Sequence, residues 1–91
     1  MSEKKTGGSA VATLTGLGIA GAGVAHFVRP ELFDDITAQA FPRETRNHVY
    51  IDGGIETAIG LGLVFPKTRK LALLGLLGYG AYLAGNVVRN R

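Results

Sequence analysis

Residues 49–65 read VYIDGGIETAIGLGLVF, and how this stretch is taken decides the fold. It is apolar and glycine-rich, yet it carries two carboxylates, Asp52 and Glu56. Their spacing of four puts both on one face of a helix. A charged face on an otherwise apolar helix suits a water-exposed surface or the inward seam of a membrane bundle. The flanking sequence favours the seam. Residues 6–28 and 71–88 contain no Asp, Glu, Lys or Arg, whereas a soluble helix of this size would carry a wet face along its length.

Working outward, the charges are segregated. They cluster at residues 3–5, 29–46, 67–70 and 89–91, with apolar runs between them. The chain has 91 residues, 19% charged and 46% hydrophobic, with a formal net charge of +3. A basic balance of this kind can point to nucleic acid. Here the basic residues flank apolar runs as membrane anchors do, so no nucleic-acid partner is expected. A basic soluble helical protein is the alternative. The chain has no cysteine, which excludes disulfides, cysteine-ligated iron–sulfur clusters and thiol catalysis.

These features predict an all-α integral membrane bundle of three transmembrane helices, spanning about residues 10–28, 49–65 and 71–88. Residues 1–9 are expected to form a mobile polar amino terminus, and 10–91 a single three-helix membrane domain. The first run is too long for the apolar core of a signal peptide and is read as an uncleaved helix. Its small residues, Gly16 and Ala20 among them, recur at spacings that let a neighbouring backbone approach closely. Gly54, Ala58 and Gly62 form a corresponding row on the second span, with Gly53 and Gly60 beside them. Arg29-Pro30 stops the first span. Residues 31–41, ELFDDITAQAF, then repeat Leu32, Ile36 and Ala40 at helical spacing, with Gln39 at the border of that face. They are read as a short amphipathic helix in the membrane interface, the alternative being a structured loop. The basic turn PKTRK at 66–70 is so short that the second and third spans must form an antiparallel hairpin.

Charge leaves the orientation undecided. Lys4, Lys5, Lys67, Arg69 and Lys70 fall on one side, and Arg29, Arg43, Arg46, Arg89 and Arg91 on the other.

Three blocks in order resemble the DoxX-like family of small bacterial membrane proteins. They are Gly23-x-x-His26-Phe27-x-x-Pro30-x-x-Phe33; Tyr50-x-x-Gly53-x-x-Glu56 running on through Gly60 and Gly62; and Leu63 through Pro66-Lys67-Thr68-Arg69-Lys70 to Ala72 and Gly75. The resemblance covers roughly residues 16–80. It implies the bacterial cytoplasmic membrane, a cytoplasmic amino terminus, and a context of quinol oxidation and redox complexes. It also implies a fourth membrane helix, which this sequence does not supply, and a Pro-Ala-Asn motif, where this chain has Ala84-Gly85-Asn86.

Glu56 is the leading candidate for chemistry. An intramembrane carboxylate needs a partner, a proton or a water-filled pocket. It serves either as a proton-binding or ion-pairing group or as a protonated Glu that fixes helix packing, and the second is favoured because no relay continues from it. His26, near the end of the first span, and Asp52, near the start of the second, fall on the same side and are expected to pair. Tyr79, Tyr82 and Asn86 suit interfacial anchoring and interhelical hydrogen bonds better than contact with a quinone or lipid headgroup. No catalytic constellation, metal site or cofactor ligand set is expected, and any quinone contact would come through a partner. The leading functional expectation is an accessory or structural subunit of a larger membrane complex, with that complex or further copies of the chain as partner. The alternative is a self-assembling small transporter or channel that uses Glu56.

Overall fold

The computed structural model describes residues 10–91 in full and residues 2–9 as helical backbone only. The polar amino terminus expected to be mobile lies outside the fully described residues. Four α-helices follow in order: α1 (Ser2–Val28), α2 (Asp34–Ala40), α3 (Thr45–Val64) and α4 (Arg69–Arg89). Short 3₁₀ turns at Pro30–Phe33 and Pro66–Thr68 precede α2 and α4, each opened by a proline that can start a helix but cannot continue one. There is no strand among the described residues. The all-α expectation therefore holds.

The expectation of three membrane spans is met by length and composition for two. Two segments, Ala10–Val28 and Pro66–Arg89, are long and apolar enough to cross a membrane, each with mean hydropathy 1.6 over its best window. Helix α3 is not a third. Asp52 and Glu56, with Arg46, Asn47 and His48 in its first turns, dilute the apolar run.

Helices α1 and α3 are antiparallel and share the most extensive contact. The buried face of α1 is Gly16, Ala20, Gly23 and His26, and it meets Gly53, Thr57 and Gly60 of α3. A Cβ added to Gly60 would overlap the backbone nitrogen of Ala20, and one added to Gly23 would overlap Thr57. Here glycine is required because two backbones touch. Gly18 and Gly21, on the other side of α1, face open space.

Helix α4 returns antiparallel to α3 after a turn that caps α3. The Arg69 guanidinium donates to the carbonyls of Leu63 (2.8 Å) and Val64 (3.1 Å), and the Thr68 hydroxyl donates to the carbonyl of Gly62 (2.8 Å). These carbonyls end a helix and would otherwise lack partners. The hairpin closes over a small core of Ile59, Leu63 and Ala72, with Gly62 against the Ala72 methyl. At the far end of α4, Asn90 Nδ2 donates to the carbonyl of Ala40 (2.9 Å) and so ties α4 to α2.

The short helix α2 buries Thr37 and Ala40, with Phe33 half-buried in the preceding turn. Leu32 (64% exposed) and Ile36 (66%) lie on the outer side while Ala40 of the same row is buried, so the expected apolar row is split between the surroundings and the bundle. A bidentate pair from Arg46 to Asp34 (3.0 and 2.6 Å) ties the start of α2 to the first turn of α3. Arg46 holds the Asp34 carboxyl below its ordinary range, and Asp34 pushes Arg46 higher still. Arg29 does the same to Glu31, across 2.6 Å.

Candidate functional site

The inward face of α3 begins at Val49, which is fully buried, and continues through Asp52 and Glu56. One helical turn separates the two carboxylates, yet their surroundings differ. Tyr79 of α4 donates its hydroxyl proton to Glu56 Oε2 across 2.5 Å. Asp52 is 3% exposed, and its Oδ1 is buried with no hydrogen-bond partner.

His26 reaches the same space from the end of α1. Its Nδ1 lies 2.7 Å from the carbonyl of Ala22. A carbonyl only accepts, so Nδ1 carries a proton and Nε2 faces inward. Phe33 stacks on the imidazole with ring centroids 3.7 Å apart. His26 Nε2 stands 3.7 Å from Glu56 Oε2, which is too long for a hydrogen bond and becomes an ion pair only when the ring is charged.

The expected His26–Asp52 pair is thus corrected to a His26–Glu56 approach. The reason is directional. Helical side chains lean toward the amino terminus of their helix, so His26 leans from the end of α1 back into the bundle. Its Cβ sits against Gly53, and the ring passes Asp52 to reach the deeper Glu56.

Together His26, Asp52, Glu56 and Tyr79 form the polar wall of a cavity of about 220 Å³. Phe33, Ile36 and Leu83 form much of its apolar wall. The cavity lies at the end of the bundle where α2 packs. Farther along α3 the seam is dry, because Ile59, Leu63 and Ala72 close it and no polar side chain continues the row. Among the described residues no group of three His, Cys, Asp or Glu is placed to hold a metal ion.

The residues expected to pack divide. Gly16 and Ala20 lie in the α1–α3 contact, and Gly62 lies against Ala72. Gly54 and Ala58 are exposed, and the close approach on α3 runs through Gly53 and Gly60 instead. The Gly54–Ala58–Gly62 row faces α4 only at its Gly62 end, where the hairpin is narrow.

Three contributors escaped sequence reasoning. Tyr79 as the partner of Glu56 was legible in principle. The two are 23 residues apart, and the 66–70 turn lies midway between them, so a symmetric hairpin brings them level. Phe33 and Thr37 could not be found in the same way, since the rotation of a helix as short as α2 is set by its tertiary contacts. A stacked Phe41–His48 pair (centroids 4.0 Å apart) with Tyr82, Asn86 and Asn90 lines a second, more open hollow of about 480 Å³, where no interaction was expected.

Comparison with curated proteins and with solved structures returns no match. The resemblance to the DoxX-like family is overturned, because the family that matches is a different one. Several residues of the three blocks, Gly23, Gly53 and Gly60 among them, are ones that the close α1–α3 contact requires on physical grounds. The implied fourth helix, orientation and quinol context fall with the resemblance. The matching family is described as "Domain of unknown function (DUF8561)", and it covers residues 8–90. With all but residues 1–7 and 91 inside that match, the chain belongs to the DUF8561 family.

Proposed function

We propose that this chain is a membrane-embedded bundle in which α1, α3 and α4 cross the bilayer, α2 lies in the interface, and the whole serves as an accessory or structural subunit of a larger membrane complex. The distribution of apolar side chains supports the membrane setting. Leu14, Leu71 and Leu77 are 70–71% exposed, and Val11 and Leu74 are nearly as open. Apolar surface on this scale is a liability in water and is ordinary in lipid. The marginal hydropathy of α3 is compatible with spanning, because Asp52 and Glu56 face α1 and α4 rather than lipid. Outward Leu32 and Ile36 suit α2 to an interfacial position.

The observation that carries the subunit reading is the outer side of α4. Leu71, Leu74, Gly78, Ala81 and Gly85 are all exposed and fall on one stripe, away from the edge that packs on α3. Lipid satisfies the leucines. The small residues gain little from lipid and allow a second helix to approach closely. The occupant proposed is a transmembrane helix of a partner protein. The dry seam beyond Glu56 weighs against a transport path through one copy, and it leaves open the alternative expectation of a self-assembling transporter or channel that uses Glu56.

The test is purification in mild detergent, with particle size and co-purifying proteins read by mass spectrometry. A stoichiometric membrane partner is expected, and Ala81→Leu with Gly85→Leu should release it while leaving the helical circular dichroism unchanged. A monomer with no partner would overturn the reading. A clean homo-oligomer would replace it with the self-assembling alternative.

A further inference from the structure

We propose that the cavity enclosed by α1, α2, α3 and α4 is a binding site for a small alkylammonium cation, with the charged head on Asp52 and Glu56 and the carbon body against Phe33, Ile36 and Leu83. The inference is independent of the assembly argued above.

The starting point is the unmatched oxygen of Asp52. The residue is 3% exposed, it lines the cavity, and its Oδ1 has no partner. Buried polar groups in folded proteins are matched almost without exception, so a lone one calls for a missing donor. Of the neighbouring donors, two are committed elsewhere, and the Thr37 hydroxyl remains on the wall. The Tyr79 hydroxyl goes to Glu56, and His26 Nδ1 goes to the Ala22 carbonyl. The polar wall is therefore richer in acceptors than in donors, and it offers two carboxylates. An ammonium group is the complement, since it has three donors and no acceptor.

The rest of the wall separates an organic cation from a metal ion. Hard metal ions take six or more oxygen ligands. Here no three-residue metal-binding group exists among the described residues, and most of the enclosing surface is hydrocarbon. An alkyl chain gains from that surface. A volume of about 220 Å³ is below the roughly 300–1,000 Å³ of pockets that hold drug-sized ligands. The ligand is accordingly an amine of a few carbons. A free amine and the headgroup of an ethanolamine lipid present the same chemistry, and Ile36, 66% exposed on α2, marks the rim that either would pass.

The probe is n-butylammonium chloride, titrated into the full chain in a zwitterionic detergent and followed by thermal unfolding. Sodium chloride at equal ionic strength and tetramethylammonium, which has no N–H donor, are the references. Saturable stabilisation by n-butylammonium alone is expected. Asp52→Asn should keep the helical spectrum and weaken binding at least about tenfold, because a charge-assisted contact is lost. Leu83→Trp fills the cavity with both carboxylates intact, and it should abolish binding as well. Equal stabilisation by sodium chloride, or unchanged affinity in both variants, would overturn the proposal. In lipid nanodiscs, competition by ethanolamine lipid would assign the site to a headgroup, and persistence of binding despite that lipid would assign it to a free amine.

Discussion

Helix α3 is gripped on one side and leaned against on the other. Toward α1 the contact is backbone on backbone, with Gly16, Gly23, Gly53 and Gly60 leaving no room for a methyl group. Toward α4 the contact is made by side chains: Arg69 on the last carbonyls of α3, the Ile59–Leu63–Ala72 cluster, then the Tyr79–Glu56 hydrogen bond. Ala72 is the one buried residue of α4. Both neighbours of α3 are rich in glycine, so abundance of glycine does not distinguish a tight seam from a loose one. What matters is whether the glycines face the partner. Those of α1 divide between the seam and open space, whereas Gly78, Gly80 and Gly85 of α4 all have nothing within 4 Å.

The strongest way to break this contrast is a single methyl group. Gly60→Ala is expected to destabilise the bundle by about 1–3 kcal/mol or more, since the obstructing atoms are backbone and cannot rotate away. Gly78→Ala should be neutral or stabilising by up to about 1 kcal/mol in the isolated chain, where only helix propensity changes. Reversible denaturation in detergent micelles, followed by circular dichroism, reads both. Equal effects at the two sites would mean that the seams do not differ as described.

Tyr79→Phe probes the looser side. It removes one hydrogen bond to a carboxylate and should cost about 1–3 kcal/mol. The loss should appear as faster hydrogen exchange in α4 while α1 stays protected. Uniform loosening of all helices would show instead that α4 is integral to the core.

The smallest effect concerns the charged end. Arg46 depresses the Asp34 carboxyl below its ordinary range. The stabilisation from this pair is complete above the ordinary carboxyl value and is lost as pH falls through the depressed one. Both groups are solvent-facing, so the effect is small and is screened by salt. Exchange of the α2 amides should rise at acid pH in the native chain, and Asp34→Asn should remove that step.

Much of the architecture is legible from residue patterns. The prolines at 30, 42 and 66 punctuate the helices, and the short basic turn dictates an antiparallel hairpin. Charge segregation separates the apolar runs. Facing is harder to read. Gly53 and Gly54 are adjacent and identical, yet one is buried and the other exposed. A helix so rich in small residues carries no strong apolar stripe to set its rotation, and the choice is made by what α1 presents. The candidate site shows the same division. Glu56 and His26 were expected to matter from their type and position, but their approach to each other follows from the lean of the His26 side chain. Phe33 and Thr37 enter the cavity through the rotation of α2, which is tied to α3 by an ion pair between residues twelve apart in sequence.

The hydrogen bond from Asn90 to the Ala40 carbonyl has a mechanical consequence. It fastens the trailing end of α4 to the last turn of α2. One of these helices carries Leu83 and Tyr79, and the other carries Ile36 and Thr37, so between them they supply both jambs of the cavity. The two walls are thus joined at a point outside the cavity itself, and a change at Asn90 is felt by side chains it never touches.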